Sequence, residues 1–220
     1  MRSAVGRRAS PKLRFRIAEW PAHPNQLLAL SFEAAEVHDN NQALEPRVAL
    51  LEARNGALAR VAEGRIDLHE PRCADDAQGP DPERAPEFKL DLAAYGISKS
   101  SAALGVRFSC FNNSTTEEGR TEFLYLLEPV HAELRQVLEA KLDYTHYARL
   151  TFTETVASST LSIAPEPAKN GYFDLAVRTT VTVHTSDPEL HPGAPKSGKR
   201  EESHRFSWSG SRYREQNSRQ

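Results

Sequence analysis

Between Phe173 and Val183 the chain alternates apolar and polar side chains with a period of two, the spacing of a strand with one buried face. Phe173, Leu175, Val177, Val181 and Val183 fall on one face with Thr179, while Asp174, Arg178, Thr180 and Thr182 fall on the other. Shorter runs repeat the pattern at Leu28, Leu30 and Phe32, at Phe88, Leu90 and Leu92, at Val106, Phe108 and Cys110, at Ala148, Leu150 and Phe152, and at Phe206 and Trp208. So many half-buried strands predict a mainly antiparallel sheet.

Asn55-Gly56 separates Val48–Ala53 from Leu58–Leu68, and this pair accepts the positive φ angles of a type I′ hairpin turn. A helix competes for residues 44–68, since Leu44, Val48, Leu51 and Leu58 are also helically spaced; Pro46 and Gly56 favour the hairpin. Further on, Pro129 suits a first helical turn, and Val130, Leu134, Val137, Leu138 and Leu142 form a stripe at helical spacing. The expected fold class is therefore α+β, mainly antiparallel β. It has two β layers, or a sheet packed by one amphipathic helix near 129–142, and mobile basic termini.

The expected organisation is a basic N-terminal arm (1–16), a main β-rich domain (17–195) and a basic C-terminal tail (196–220) with a short strand at Phe206–Trp208. The polar stretch His69–Pro86 divides the main domain if it is a linker, and is otherwise a functional loop or disordered. At 220 residues and 39% apolar composition the chain is large enough for a real core. No apolar run approaches the roughly 18 residues that cross a bilayer, and no apolar stretch of a secretory signal follows the Arg-rich start. The expectation is a cytoplasmic protein with no membrane insertion. Cys73 lies in a polar loop and Cys110 in an apolar run. The simplest reading of Cys110 is a buried structural thiol, with a disulfide to Cys73 or a reactive thiol as alternatives.

Charge is segregated along the chain. Residues 1–16 hold six Arg or Lys and no acid, and residues 196–220 hold seven basic against three acidic, leaving −12 for the residues between them. Arg7, Arg8, Arg14, Arg205, Trp208, Arg212, Tyr213 and Arg214 are the candidate partner-binding residues, because they combine cations with aromatic rings near the termini. The expected function is a non-enzymatic protein-binding or assembly subunit that uses its charged tails and a β-rich body, with a protein partner or self-association. Nucleic acid is the alternative partner of the same tails, through phosphate contacts and base stacking.

A second alternative is a hydrolase-type enzyme using His146 or the His69–Asp76 loop, but no catalytic residue is assigned and enzyme activity is left open. No cofactor and no metal site is implied. The loop with His69, Glu70, Cys73, Asp75 and Asp76 lacks the Cys-x-x-Cys or His-Glu-x-x-His spacing that fixes a metal. Gly193–Lys199 has P-loop glycine spacing, but Arg200 stands where Ser or Thr must reach Mg²⁺.

Two short resemblances complete the reading. Asp91-Leu92-Ala93-Ala94-Tyr95-Gly96 is similar to the Asp-x-Ser-x-x-Gly element of the cyclic-di-GMP-binding PilZ domain, and Arg7, Arg8 and Arg14 to its Arg motif. Ala93 replaces the serine and about 80 residues separate the parts, so this does not amount to recognition. Phe88–Leu92, Val106–Asn112, Thr121–Leu127 and Tyr147-Ala148-Arg149 occur in an order that resembles SecB-type holdase chaperones. The Pro-Pro segment that follows that Arg in the family is missing here. The resemblance implies a chaperone-like role.

Overall fold

A computed structural model describes residues 12–23, 25–34, 46–68, 87–113, 115–168, 170–186 and 195–216. They form twelve β-strands: β1 (Lys12–Glu19), β2 (Gln26–Ala34), β3 (Arg47–Arg54), β4 (Ala57–Arg65), β5 (Glu87–Gly96), β6 (Ala102–Asn113), β7 (Glu117–Val130), β8 (Glu133–Ala148), β9 (Thr153–Pro167), β10 (Phe173–Thr185), β11 (Gly198–Trp208) and β12 (Tyr213–Gln216). There is no helix among the described residues, so the expected α+β class is corrected to all-β.

Consecutive strands pair antiparallel within β1–β4 and within β5–β12. The two runs meet at one parallel bridge, Glu63 with Glu133, reinforced by the Glu63 N–H donating to the Ala132 carbonyl at 3.2 Å. Here the backbones almost touch: a Cβ on Gly64 would sit 2.1 Å from the Leu134 carbonyl oxygen, so only glycine fits.

The meander β5–β8 is the middle layer, and apolar side chains cover both its faces. Leu104, Val106, Phe108, Phe123, Tyr125 and Leu127 pack on one side against Trp20, Leu28, Leu30, Val48 and Leu50 of the β1–β4 layer. Ala103, Leu124, Leu126, Leu138, Ala140 and Leu142 pack on the other side against Leu175, Val177, Phe206 and Tyr213 of the β9–β12 layer. β7 therefore carries the unbroken apolar run Phe123–Leu127, as a strand buried on both faces does.

The same two-sided burial explains the false helix at 129–142. β7 continues through Pro129 to Val130, His131 turns the chain with φ 56°, and β8 returns from Glu133. Opposite Leu126 and Leu127 the register slips, leaving Val137 as an extra residue between Gln136 and Leu138. Leu134 belongs to the first core, and Val137, Leu138 and Leu142 to the second. A bulge in a two-faced strand has thus produced the i, i+3, i+4, i+8 spacing of a helix.

The hairpin at Asn55-Gly56 forms as expected, with φ of 51° and 78° joining β3 to β4. The expected mobile termini are corrected within the described residues. β1 pairs with β2 along its whole length, and β11 pairs with β10 from Leu175 opposite Phe206 to Val183 opposite Gly198. β11 is a strand in spite of its charges because its aromatic end, Phe206 and Trp208, packs into the second core. Cys110, expected as a buried thiol, is disulfide-bonded. The chain's other cysteine, Cys73, lies outside the described residues.

Candidate functional site

Three groups of side chains stand out, and the first is an apolar surface. On the side of β1–β3 turned away from the core, the register stacks Ile17, Ala29 and Ala49 in one row, and Glu19, Leu27 and Leu51 in the next. Phe15 begins a third row with Ser31 and Arg47. Phe15 and Ile17 are each 61% exposed, and Leu27, Ala29, Ala49 and Leu51 are half-buried beside them. Clustered apolar exposure on one face is what a docking surface shows and a solvated face lacks. Among the described residues no strand pairs with the second edge of β1, which borders this surface.

The second group is a charge network on β5–β7. Asp91 accepts from the Ala93 N–H at 3.0 Å, Tyr95 Oη at 2.9 Å and Arg107 Nε at 2.6 Å. Arg107 Nη1 also donates to Glu122 Oε1 at 2.6 Å, and Glu122 Oε2 accepts from Arg120 at 2.8 Å and Ser109 at 3.1 Å. Burial alone would raise the Asp91 carboxyl, but the Ala93 amide, Arg107 and Tyr95 together hold it below the usual range. Burial and the adjacent Asp91 charge push the Tyr95 phenol up. Asp91 held in this way is a poor base, and the network ties β5 to β6 and β7. It also gives the Asp91–Gly96 segment a structural account: residues 92–94 bulge out of the β5–β6 register, and Asp91 caps the bulge.

The third group lies at the far end of β6–β8, in a half-open depression of about 230 Å³ lined in part by Phe111, Glu118, Arg120, His146, Tyr147 and Glu154. His146 Nε2 lies 3.2 Å from Glu117 Oε2, and Arg149 binds Glu118 at 3.0 Å and Asn113 at 2.9 Å. An imidazole held by a carboxylate is two-thirds of a nucleophile-activating arrangement. Among the described residues no hydroxyl or thiol hydrogen-bonds His146 to complete it. The His69–Asp76 loop lies outside the described residues, and among those described no three metal-ligating side chains cluster.

Near the C-terminus the partner residues expected from the sequence divide between two faces of β11–β12. Arg7 and Arg8 lie outside the described residues, and Arg14 lies on β1 opposite Phe32. Arg205 and Arg214 share an exposed face of β11–β12, opposite Gln216 and Ser207, and Arg212 is exposed in the turn between these strands. Trp208 and Tyr213 pair with each other on the opposite face, towards the core. The Trp208 ring stacks on Tyr172 at 3.8 Å, with the Arg135 guanidinium 5.6 Å from its centroid. Tyr213, 5% exposed, donates to the Phe173 carbonyl at 2.9 Å.

Beside these rings Glu128, 3% exposed, accepts from Ser101 and Tyr172 at 2.9 Å and from Arg135 at 2.7 Å. The hub fastens the β10–β12 end to the middle layer. Of the Gly193–Lys199 segment the described part, from Pro195, runs into β11, so a strand stands where a P-loop needs a helix N-terminus. The sequence reading missed Phe15 and Ile17 because a domain boundary at 16/17 cuts β1 in half. The signal was present in the alternation of Leu13, Phe15 and Ile17 with Lys12, Arg14 and Arg16.

No protein-family model, no curated protein and no solved structure matches this chain.

Proposed function

We propose that this protein is a non-enzymatic binding or assembly module whose docking surface is the outer face of β1–β3. The observation that carries the reading is the exposure of Phe15 and Ile17 at the margin of a face that also carries Leu27, Ala29, Ala49 and Leu51. Docking falls to β1, the strand that the expected basic N-terminal arm runs into, and not to the C-terminal segment, which forms β11 and β12. Arg16, the last residue of the expected basic arm, is an exposed β1 residue, and the aromatic rings near the C-terminus are engaged in the fold. Base stacking on Trp208 would compete with its contact to Tyr172, which weighs against nucleic acid.

Removing residues 1–16 and 196–220 is no fair test, since it deletes half of β1 and all of β11 and β12. A double variant, Phe15→Ser with Ile17→Ser, leaves both cores untouched. The full-length protein and this variant are compared by light scattering across protein concentration and by quantitative retention of proteins from the native source. A Val156→Ser variant on the opposite layer serves as control. A complex or oligomer lost only in the β1 variant supports the reading; identical behaviour of all three proteins contradicts it.

No helix among the described residues is long and apolar enough to cross a membrane. The Cys110 disulfide favours an oxidising compartment over the cytoplasm expected from the sequence. Thiol alkylation of the protein trapped directly from cells distinguishes the two: alkylated Cys110 places it in a reducing compartment, and protected Cys110 in an oxidising one.

A further inference from the structure

We infer that the β1 edge binds an extended strand whose side chains alternate apolar and acidic; this rests on the docking reading above and names the occupant. β1 offers a partner two different rows. Phe15 and Ile17 point to the exposed apolar face, while Lys12, Arg14 and Arg16 occupy the intervening positions, of which Arg16 is exposed. In an antiparallel or parallel pair, opposed residues share a face. A strand added to β1 therefore gains most with apolar residues level with Phe15 and Ile17 and carboxylates level with the basic positions. Its backbone pairs with the β1 edge that no described strand occupies while its alternate side chains supply selectivity, which is the physics of strand addition.

A second copy of β1 fits this edge poorly. When two copies pair about a twofold axis with their Phe15 and Ile17 rows on one face, the two registers that use nearly the whole strand are unfavourable. One sets Arg14 opposite Arg16, and the other sets Arg16 opposite itself. Like charges directly opposed across a sheet repel. The basic row thus selects against β1 itself and for an acidic partner, and the apolar row selects against a merely polar one.

The probe is a blocked eight-residue peptide alternating Val and Glu, with three companions: the Val-Lys peptide, the Ser-Glu peptide, and the Val-Glu peptide N-methylated at alternate residues. Fluorescence anisotropy with the full-length protein reads the affinity. Saturable binding of the Val-Glu peptide is expected, with at least a tenfold loss for each companion. Arg16→Glu is expected to invert the preference between Val-Glu and Val-Lys, and Ile17→Ser to weaken both. Circular dichroism of each variant confirms that the fold is kept.

No saturable binding of the Val-Glu peptide, or binding indifferent to Arg16→Glu and to N-methylation, overturns the inference. A concentration-dependent dimer abolished by Arg16→Glu overturns the choice of occupant. If the peptide fails while the Phe15→Ser, Ile17→Ser variant still loses its native complex, the face docks partners and the strand-addition assignment alone is wrong. If both fail, the docking reading fails with it.

Discussion

The two outer layers pack on opposite faces of the same meander, yet they turn different surfaces to the outside. On β9–β11 the outward rows hold Ser158, Thr160 and Ser162, then Arg178, Thr180 and Thr182, then Lys199, Glu201, Ser203 and Arg205, with Val156 the one exposed large apolar side chain. On β1–β3 the outward rows hold Phe15, Ile17, Leu27, Ala29, Ala49 and Leu51, interrupted by Glu19, Ser31 and Arg47. The first is a finished surface, polar out and apolar in, as an antiparallel sheet facing water should be. The second keeps six apolar side chains on its outward face as well, and among the described residues nothing packs over them. Since the inner face of β2–β4 already supplies Leu28, Leu30, Val48, Leu50 and Ala62 to the first core, the outer apolar rows are not needed to build it, which fits the docking proposed above.

The attachments of the two layers differ as well, and variants at each attachment break the comparison most strongly. The β1–β4 layer meets β8 at a contact tight enough to require glycine. Gly64→Val forces Cβ into the Leu134 carbonyl and is expected to cost more than about 3 kcal/mol. Urea unfolding with hydrogen exchange resolved by segment checks it, with β1–β4 losing protection before β9–β12.

The β9–β12 layer is fastened through Glu128. Glu128→Ala leaves Arg135, Tyr172 and Ser101 without their acceptor and is expected to cost about 3 kcal/mol. The same exchange measurement should now show β10–β12 opening first. If both variants lose protection uniformly, the layers are one cooperative unit and the comparison between attachments fails.

A smaller effect belongs to the middle layer. Asp91→Asn is expected to cost about 2 kcal/mol at neutral pH, because it removes a charged acceptor from Arg107 and Tyr95. The sign of its pH dependence follows from the depressed folded-state pKa. The Asp91 contribution is present above the ordinary Asp range and disappears as pH falls through the lower folded value. Wild-type and Asn proteins should therefore converge in stability as acid is added. A gap that stays constant down to pH 2 would assign the loss to packing instead.

The smallest effect is expected at the outer face. Phe15→Ser and Ile17→Ser should each change unfolding free energy by no more than about 0.5 kcal/mol, since neither belongs to a core. Large destabilisation in the same urea measurement would mean that the face is part of the fold and would remove the case for docking.

How much of this was legible in the sequence depended on whether a strand had one buried face or two. β10 has one, and its alternation from Phe173 to Val183 was plain. The β3–β4 hairpin announced itself through Asn55-Gly56, because few pairs accept two positive φ angles. β8 has two buried faces and a bulge at Val137, so its apolar residues fell into a helical spacing that no period-two template could match.

β11 was hidden by its charges, since Lys199–Arg205 reads as a solvated tail until β10 is there to template it. Glu128 could have been suspected. With Glu122 it brackets the apolar run Phe123–Leu127, and carboxylates flanking a buried strand need partners. The sequence could not supply those partners, because Ser101, Arg135 and Tyr172 come from three separate places in the chain.

The central claim is that the outer face and edge of β1 bind, whereas the outer face of β9–β11 is merely solvated. Hydrogen exchange of the full-length protein with and without saturating Val-Glu peptide tests it most directly. The account predicts added protection confined to Lys12–Glu19, with Thr153–Pro167 unchanged. Added protection on β9, or none on β1 despite binding, would contradict it.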